Sequence, residues 1–232
     1  MKLLPWKHLS LAACLAGLTC TEIWAQGSQR RPRVELLREI DLEEGRERLK
    51  VFRNLWIDGD YSTRFELQYI PRRGNPEKVT GTLWGSNLPE GPVTLLKINN
   101  PSAHEFYLRN GPEGFISTRN AQDPQWNRLP ELDWLRETAE GFLVTPFDLM
   151  MPYIYWDDWE YDGVTKIRGR IAHSFFMMAP EDFRGKMADL SGVLVFLDEA
   201  FNAMLKAEYV DGEGNTVKTF RLLALKKLYG IW

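Results

Sequence analysis

Residues 148–163, DLMMPYIYWDDWEYDG, put two methionines and five aromatic side chains beside five carboxylates. Acids at this density suggest general acid–base chemistry, and Asp157, Asp158 and Glu160 are the groups a glycan hydrolase would use. Such an enzyme holds two carboxyls about 5 to 10 Å apart across the sugar, usually from separate elements. Neighbouring acids on one strand meet that need poorly. In an extended strand Asp157 and Asp158 point to opposite faces, and Asp158 and Glu160 share one. Trp156, Asp158 and Glu160 against Asp157, Trp159 and Tyr161 then gives a mostly acidic face and a mostly aromatic one. The pattern predicts a half-buried sheet edge with its acids in solvent.

Other catalytic chemistry is thinly supplied. The two cysteines, Cys14 and Cys20, fall in the first twenty residues, and beyond them only His104 and His173 remain as histidines. With no cysteine in the rest of the chain, a disulfide framework, a thiol nucleophile and a cysteine–zinc site are excluded there. The two histidines are far apart in sequence and read as ordinary surface or half-buried imidazoles. The expectation is a protein with no catalytic residues, no metal and no cofactor.

The start of the chain gives a location. MKLLPWK is basic, Leu9 to Cys20 (LSLAACLAGLTC) carries no charge, and TEIWA leads into QGSQRRPR. That is the order of a secretory signal, with an apolar run too short for the roughly 20 residues of a membrane-spanning helix. Cleavage is expected after Ala25. A rival reading takes Leu11-Ala12-Ala13-Cys14 as a lipobox and Cys14 as a lipidated N-terminus, but Lys7 and His8 would then interrupt the apolar run. Export of a disulfide-free chain fits the periplasm. Removing 25 of the 232 residues leaves 207, with 27 basic and 31 acidic side chains. This is single-domain size, and the mixed, mildly acidic charge lacks the basic footprint of a nucleic-acid binder.

The elements that must position these residues follow from periodicity. RRPRVELLREIDLEEGRERLKVFRNLW has apolar residues near a helical period, with Asp41 and Glu44 placed to form a capping box and Gly45 weakening the middle. From Asp60 the period becomes two. Tyr61, Thr63, Phe65, Leu67 and Tyr69 alternate with polar residues, and KVTGTLWGS, VTLLKIN, EFYLRN and FISTRN follow between Gly, Pro and Asn clusters. This predicts an antiparallel meander with one solvated face. LDWLRETAEG reads as a second helical patch. In VTPFDLMMPY, Thr145 is an N-cap, Pro146 suits the first helical position, Asp148 sits at N3, and Pro152 stops a short helix. YIYWDDWEYDG, VTKIRGRIAHSFFMMAP, GVLVFLDEA, AMLKAEYVD and TVKTFRLLALKKL read as further strands, with DGEGN a hairpin turn.

Tyr161-Asp162-Gly163, Gly169-Arg170, Ala179-Pro180, the strand ending Leu197-Asp198 and the Tyr209-Val210-Asp211 to Gly214-Asn215 hairpin before Lys218 resemble the LolA-like outer-membrane lipoprotein-sorting family. The resemblance covers most of residues 26–232 through distributed motifs. It implies an α+β fold, a strongly curved antiparallel sheet (an incomplete barrel) with helices over the concave face. It also implies that the protein holds acyl chains of a lipoprotein or lipid between sheet and helices while crossing the periplasm. The LKKLYGIW end stops short of the one or two further strands usual in the family, which reads either as a truncated sequence or as a shortened sheet with an open edge. Arg64 and Arg109 are both candidates by position for the arginine that closes the cavity in such carriers.

The residues support a carrier independently. An acyl site needs adaptable apolar walls, and methionine is flexible and polarizable. Met150, Met151, Met177, Met178, Met187 and Met204 are available, and the Phe147-Leu149-Met150-Met151 turn is the candidate lid. The expected cavity is lined by Phe65, Leu67, Leu83, Leu96, Phe147, Leu149, Met150, Met151 and Tyr153, the strand positions being assigned by parity. Expected partners are lipoprotein or lipid acyl chains and an inner- or outer-membrane protein, with no nucleic acid and a monomeric state. The alternatives are an envelope-stress sensor of related fold that binds lipoprotein and a membrane partner, and a secreted glycan hydrolase. Intact-mass analysis of protein from the cell envelope is expected to give an unlipidated chain starting at Gln26; an acylated Cys14 would overturn that.

Overall fold

The computed structural model describes residues 32, 34–55, 59–69, 75–99, 103–138, 144–181, 183–184 and 190–222. The expected signal segment with Cys14 and the Gln26 start, Met187, and the C-terminal LKKLYGIW lie outside them.

Period-two alternation from Tyr61 onward becomes strand. β1 (Tyr61–Tyr69), β2 (Glu77–Leu88), β3 (Gly91–Ile98), β4 (His104–Arg109), β5 (Phe115–Asn120) and the short β6 (Asn127–Arg128) form one antiparallel sheet in chain order. β7 (Trp159–Ile167), β8 (Arg170–Met178), β9 (Leu190–Asp198), β10 (Met204–Asp211) and β11 (Thr216–Arg221) form a second antiparallel meander. The expectation of a single curved sheet is corrected to two sheets, and neither closes into a barrel among the described residues. Between β6 and β7 the chain passes Pro130, Pro146 and Pro152, each at the start of a helical turn. Proline lacks the N–H that a sheet ladder needs, and the described residues of this connection carry no strand.

The helical expectations hold in part. α1 spans Leu42–Arg53, capped by Asp41, whose carboxylate accepts from Glu43 N and Glu44 N at 3.0 and 3.1 Å. The reciprocal half of the capping box is absent, because Glu44 instead takes Arg38 Nη2 at 2.6 Å. Residues 34–40, expected to be helical, are not: Leu37 N donates to Val164 O of β7 at 2.8 Å. The described residues of LDWLRETAEG take part only in a 3-10 turn at Glu131–Asp133. α2 is the expected short helix, Pro146–Met150, with a complete Thr145–Asp148 capping box. Tyr153 to Tyr155, expected in a strand, form another 3-10 turn (Pro152–Tyr155), and Asp157 and Asp158 precede β7 as exposed residues rather than alternating within it. VTKIRGRIAHSFFMMAP is a hairpin, because Arg168 and Gly169 both take positive φ in a tight turn that suits the twist of β7 and β8.

The main core lies between the sheets. Val79, Leu96, Ile98, Phe106, Leu108 and Ile116 of the first sheet meet Phe175, Met177, Val193, Val195, Leu197, Ala207 and Tyr209 of the second, with Phe147, Met150, Tyr153 and Trp156 between them. β9 is buried along its whole length. Its other face joins a smaller cluster of Ala172, Phe176, Leu194, Phe196, Leu205 and Val210. A strand buried on both faces reads as a continuous apolar run, as GVLVFL does.

Gly45 has a role that helix propensity alone hides. A Cβ there would fall 2.5 Å from Tyr161 Cγ and Cδ1, so the glycine lets α1 lie directly on the β7 ring. Alanine would gain roughly 1 kcal/mol of helix propensity, but overpacking of this kind costs about 1–3 kcal/mol. Gly45→Ala is therefore expected to lower the Tm, and Gly45→Ala with Tyr161→Leu to recover part of the loss; a rise in Tm for the single variant would show the contact to be soft.

Candidate functional site

Parity places Phe65, Leu67, Leu83 and Leu96 on one face of the first sheet. Leu67 is opposite Val79, Leu83 is opposite Leu96, and Leu96 is opposite Phe106. Directly opposed residues of antiparallel strands share a face, and here it is the face turned to the core. Leu96 is buried, whereas Phe65, Leu67 and Leu83 are half-buried and pack against the core cluster. Arg64 is exposed on the opposite face. Arg109, across from Val93, also lies on that outer side, donating to Glu90 O at 2.9 Å and resting on Phe115. Neither candidate arginine reaches the inter-sheet space.

The α2 turn fills the space those strands face. Phe147, Met150 and Tyr153 are 0%, 2% and 1% exposed, while Leu149 and Met151 are half-buried. Phe147 meets Tyr153, Trp156, Phe183 and Tyr209 at ring-centroid distances of 5.7 to 6.2 Å. Tyr153 Oη points to Met204 Sδ at 3.8 Å. The segment expected to be a mobile lid is seated here in the core, as a plug.

Polar contacts fix the plug to both sheets. Asp148 accepts Thr145 N at 2.6 Å, Tyr209 Oη at 2.7 Å and Lys218 Nζ at 2.5 Å. On the other side Asn110 Nδ2 donates to Met150 O at 2.6 Å. Burial and the nearby Asp148 charge push the Tyr153 hydroxyl well above its usual range. Tyr209 moves the same way, through burial first and then the neighbouring Tyr153 and Asp148. Both stay neutral hydroxyls, fit for hydrogen bonding and unfit as bases. The tip of the turn is set by Met151 at φ 50°, a left-handed conformation uncommon for a side chain of its size. The Thr145-to-Asp148 signature was readable locally; its partners Tyr209, Lys218 and Asn110 carry no local signal.

The candidate acids of the opening stretch lie at the surface, two before β7 and one within it. Asp157, Asp158 and Glu160 are exposed. Arg53 donates to Ile154 O and Trp156 O at 2.7 and 2.8 Å, tying the end of α1 to the turn before them.

His104 stacks on Phe106, their ring centroids 4.5 Å apart. His173 is not the ordinary imidazole expected from the sequence. It is fully buried, Nδ1 shares a 2.8 Å hydrogen bond with Tyr161 Oη, and Nε2 lies 3.8 Å from Glu44 Oε1 and 3.9 Å from Glu199 Oε1. Burial, then Arg48, lowers its pKa and keeps the ring neutral. Burial pushes the Tyr161 hydroxyl up to about 12.

A cleft of about 470 Å³ opens on the outer face of the first sheet, against Trp84, Val93, Leu95 and Tyr107. It is separate from the face carrying the expected lining residues.

Comparison with solved structures places this architecture. A DUF1329-family protein from Desulfovibrio piger superposes with TM-score 0.65 at 14% identity, over 82% of each chain. A domain from Vibrio parahaemolyticus described as an outer membrane lipoprotein-sorting domain gives TM-score 0.64 at 17% identity, over 82% of this chain and 80% of that one. A LolA superfamily protein from Nitrosomonas europaea gives 0.54 at 11% identity, over 80% of both. The chain has the LolA-like fold. No protein-family profile matches it. No curated protein matches it in sequence either.

Asp148→Asn keeps the shape of the plug anchor but removes the charge facing Lys218. Breaking a buried pair on one side costs about 3–5 kcal/mol, an upper bound here because Lys218 is partly exposed. The expected outcome is a lower urea midpoint with faster proteolysis near residues 145–156. An unchanged midpoint would remove Asp148 as the anchor.

Proposed function

We propose that this chain is a non-enzymatic periplasmic carrier that binds acyl chains of lipoproteins or lipids for transfer toward the outer membrane. The observation that carries the reading is the apolar seam between the sheets, where half-buried Phe65, Leu67 and Leu83 lead to buried Leu96 and the Phe147–Tyr153 plug. The fold likeness to a lipoprotein-sorting domain supports it. No helix among the described residues is long and apolar enough to cross a membrane.

The energetics favour such a cargo. Burial contributes about 0.8 kcal/mol per methylene, so ten buried methylenes supply about 8 kcal/mol. That gain offsets the plug's own apolar contacts, which the acyl chain would replace. Phe147, Leu149, Met150, Met151 and Tyr153 would act as the displaceable wall, methionine adapting to chains of different length. Helices laid over the concave side of a curved sheet, and a membrane-protein partner that loads or unloads the chain, complete the reading.

A fluorescent long-chain fatty acid should bind the folded monomer and be displaced by lipid or lipoprotein, and native mass spectrometry of protein from the cell envelope should show co-purified lipid. Leu83→Asp and Met151→Glu alter half-buried positions that a folded chain tolerates better than buried Met150. Each should weaken binding at least tenfold, because burying an unpaired charge is costly. Replacing Asp157, Asp158 and Glu160 by their amides should leave affinity unchanged. A folded monomer that binds no fatty acid, or a glycan-cleaving activity lost in the amide variant, would sink the carrier.

A further inference from the structure

Glu44 of α1, His173 of β8 and Glu199 after β9 offer ligand atoms that all lie within 4.8 Å of one another. His173 Nε2 is buried and has no hydrogen-bond partner, although it points at the two carboxylates. A buried nitrogen without a partner is a cost that folded proteins rarely leave standing. From this geometry we propose that Glu44, His173 and Glu199 form a divalent transition-metal site, with zinc the best-fitting ion, that clasps α1 to the second sheet.

The donor set is one imidazole nitrogen and two carboxylate oxygens, a set that suits zinc with water as fourth ligand. Tetrahedral zinc with ligands about 2.1 Å away separates them by about 3.4 Å. The 3.8 and 3.9 Å separations from His173 Nε2 need to close by a few tenths of an ångström, and the two carboxylates, within 4.8 Å of each other, draw together as Arg38 leaves. Placing the ring proton on Nδ1 directs it to Tyr161 Oη and leaves the Nε2 lone pair for the metal, the outer-shell arrangement that orients metal-bound histidines.

The backbone around the site is braced. Arg48 Nη1 donates to Glu199 O at 2.8 Å, and Asn202 Nδ2 donates to Arg48 O at 3.3 Å, locking the turn after β9 to α1. Arg38 Nη2 bridges both carboxylates, at 2.6 Å from Glu44 and 3.2 Å from Glu199. Its side chain is 45% exposed. It can leave to solvent, so Arg38 is the cation that holds the acids together in the metal-free state and competes with the metal.

The test uses the full chain without a polyhistidine tag, stripped with chelator and titrated with zinc chloride by calorimetry and thermal unfolding. One zinc per chain is expected. At a hundredfold excess over the Kd the Tm should rise by about 5–10 °C. Glu199→Gln should weaken binding at least tenfold, and Arg38→Ala should strengthen it several-fold while lowering the metal-free Tm. Cobalt(II) in place of zinc should give the visible absorption of a tetrahedral site, lost in His173→Gln. Because His173→Gln removes a buried side chain, the exposed-side Glu199→Gln variant keeps the test informative if the former misfolds. Absence of saturable one-to-one binding in both the wild type and Arg38→Ala, each folded by circular dichroism, would overturn the site. So would zinc binding that survives Glu199→Gln unchanged.

Discussion

Asp148 is a carboxylate with 8% of its side chain exposed, sitting where two sheets and a short helix meet. A charge that far from water must be compensated or it destabilises the fold by several kcal/mol. Here Thr145 supplies backbone and hydroxyl donors, Tyr209 a hydroxyl from β10, and Lys218 an ammonium from β11. This requirement fixes the height and orientation of α2, and α2 in turn decides where Phe147 and Met150 go. With Asn110 holding the Met150 carbonyl from the turn after β4, one five-residue helix is fastened to both sheets. On the carrier reading, admitting cargo and releasing this helix are a single event, and Lys218, the most exposed member of the network, is where solvent or a partner first meets it.

The N-terminal side of the fold depends on a second close contact. Gly45 brings α1 onto Tyr161, Leu49 enters the main core, and Arg53 reaches the carbonyls at 154 and 156. Gly163 contributes from the sheet side. It follows a bulge in β7, takes φ +102°, and a Cβ there would crowd Leu36 of the extended segment before α1. Both glycines are therefore close-approach positions. The N-terminal segment and α1 are braced against the second sheet, and the plug ties that sheet to the first.

What was legible in the sequence was whatever is decided within a few residues. Thr145-Pro146-x-Asp148 states its own cap, and Tyr61 to Tyr69 states its own strand, because capping and pleat parity are local constraints. The same parity placed Phe65, Leu67, Leu83 and Leu96 on one face, although nothing local says what fills the space in front of them. Residues 34–40 misled for an instructive reason. Val34, Leu37 and Ile40 have helical spacing, yet Leu36, Leu37 and Ile40 remain about half exposed and Leu37 pairs with Val164 instead. Helical periodicity without a face to bury does not stabilise a helix, and a free β7 backbone carbonyl competes for the N–H.

The break between the sheets was partly written in Pro130, Pro146 and Pro152, residues that deny a ladder its donors. The seat of His173 was not written at all. An imidazole in an apolar strand such as IAHSFFMM is ordinary until the topology sets it beside α1 and the turn after β9. Once there it is surrounded by Glu44, Glu199, Arg38 and Arg48, groups whose positions in the chain give no ligand spacing. Motif reading works on ligands that share a loop or a helix turn. A site assembled from a helix, a strand and a turn becomes visible only through burial and the direction of an unpaired nitrogen, and those are properties of the fold.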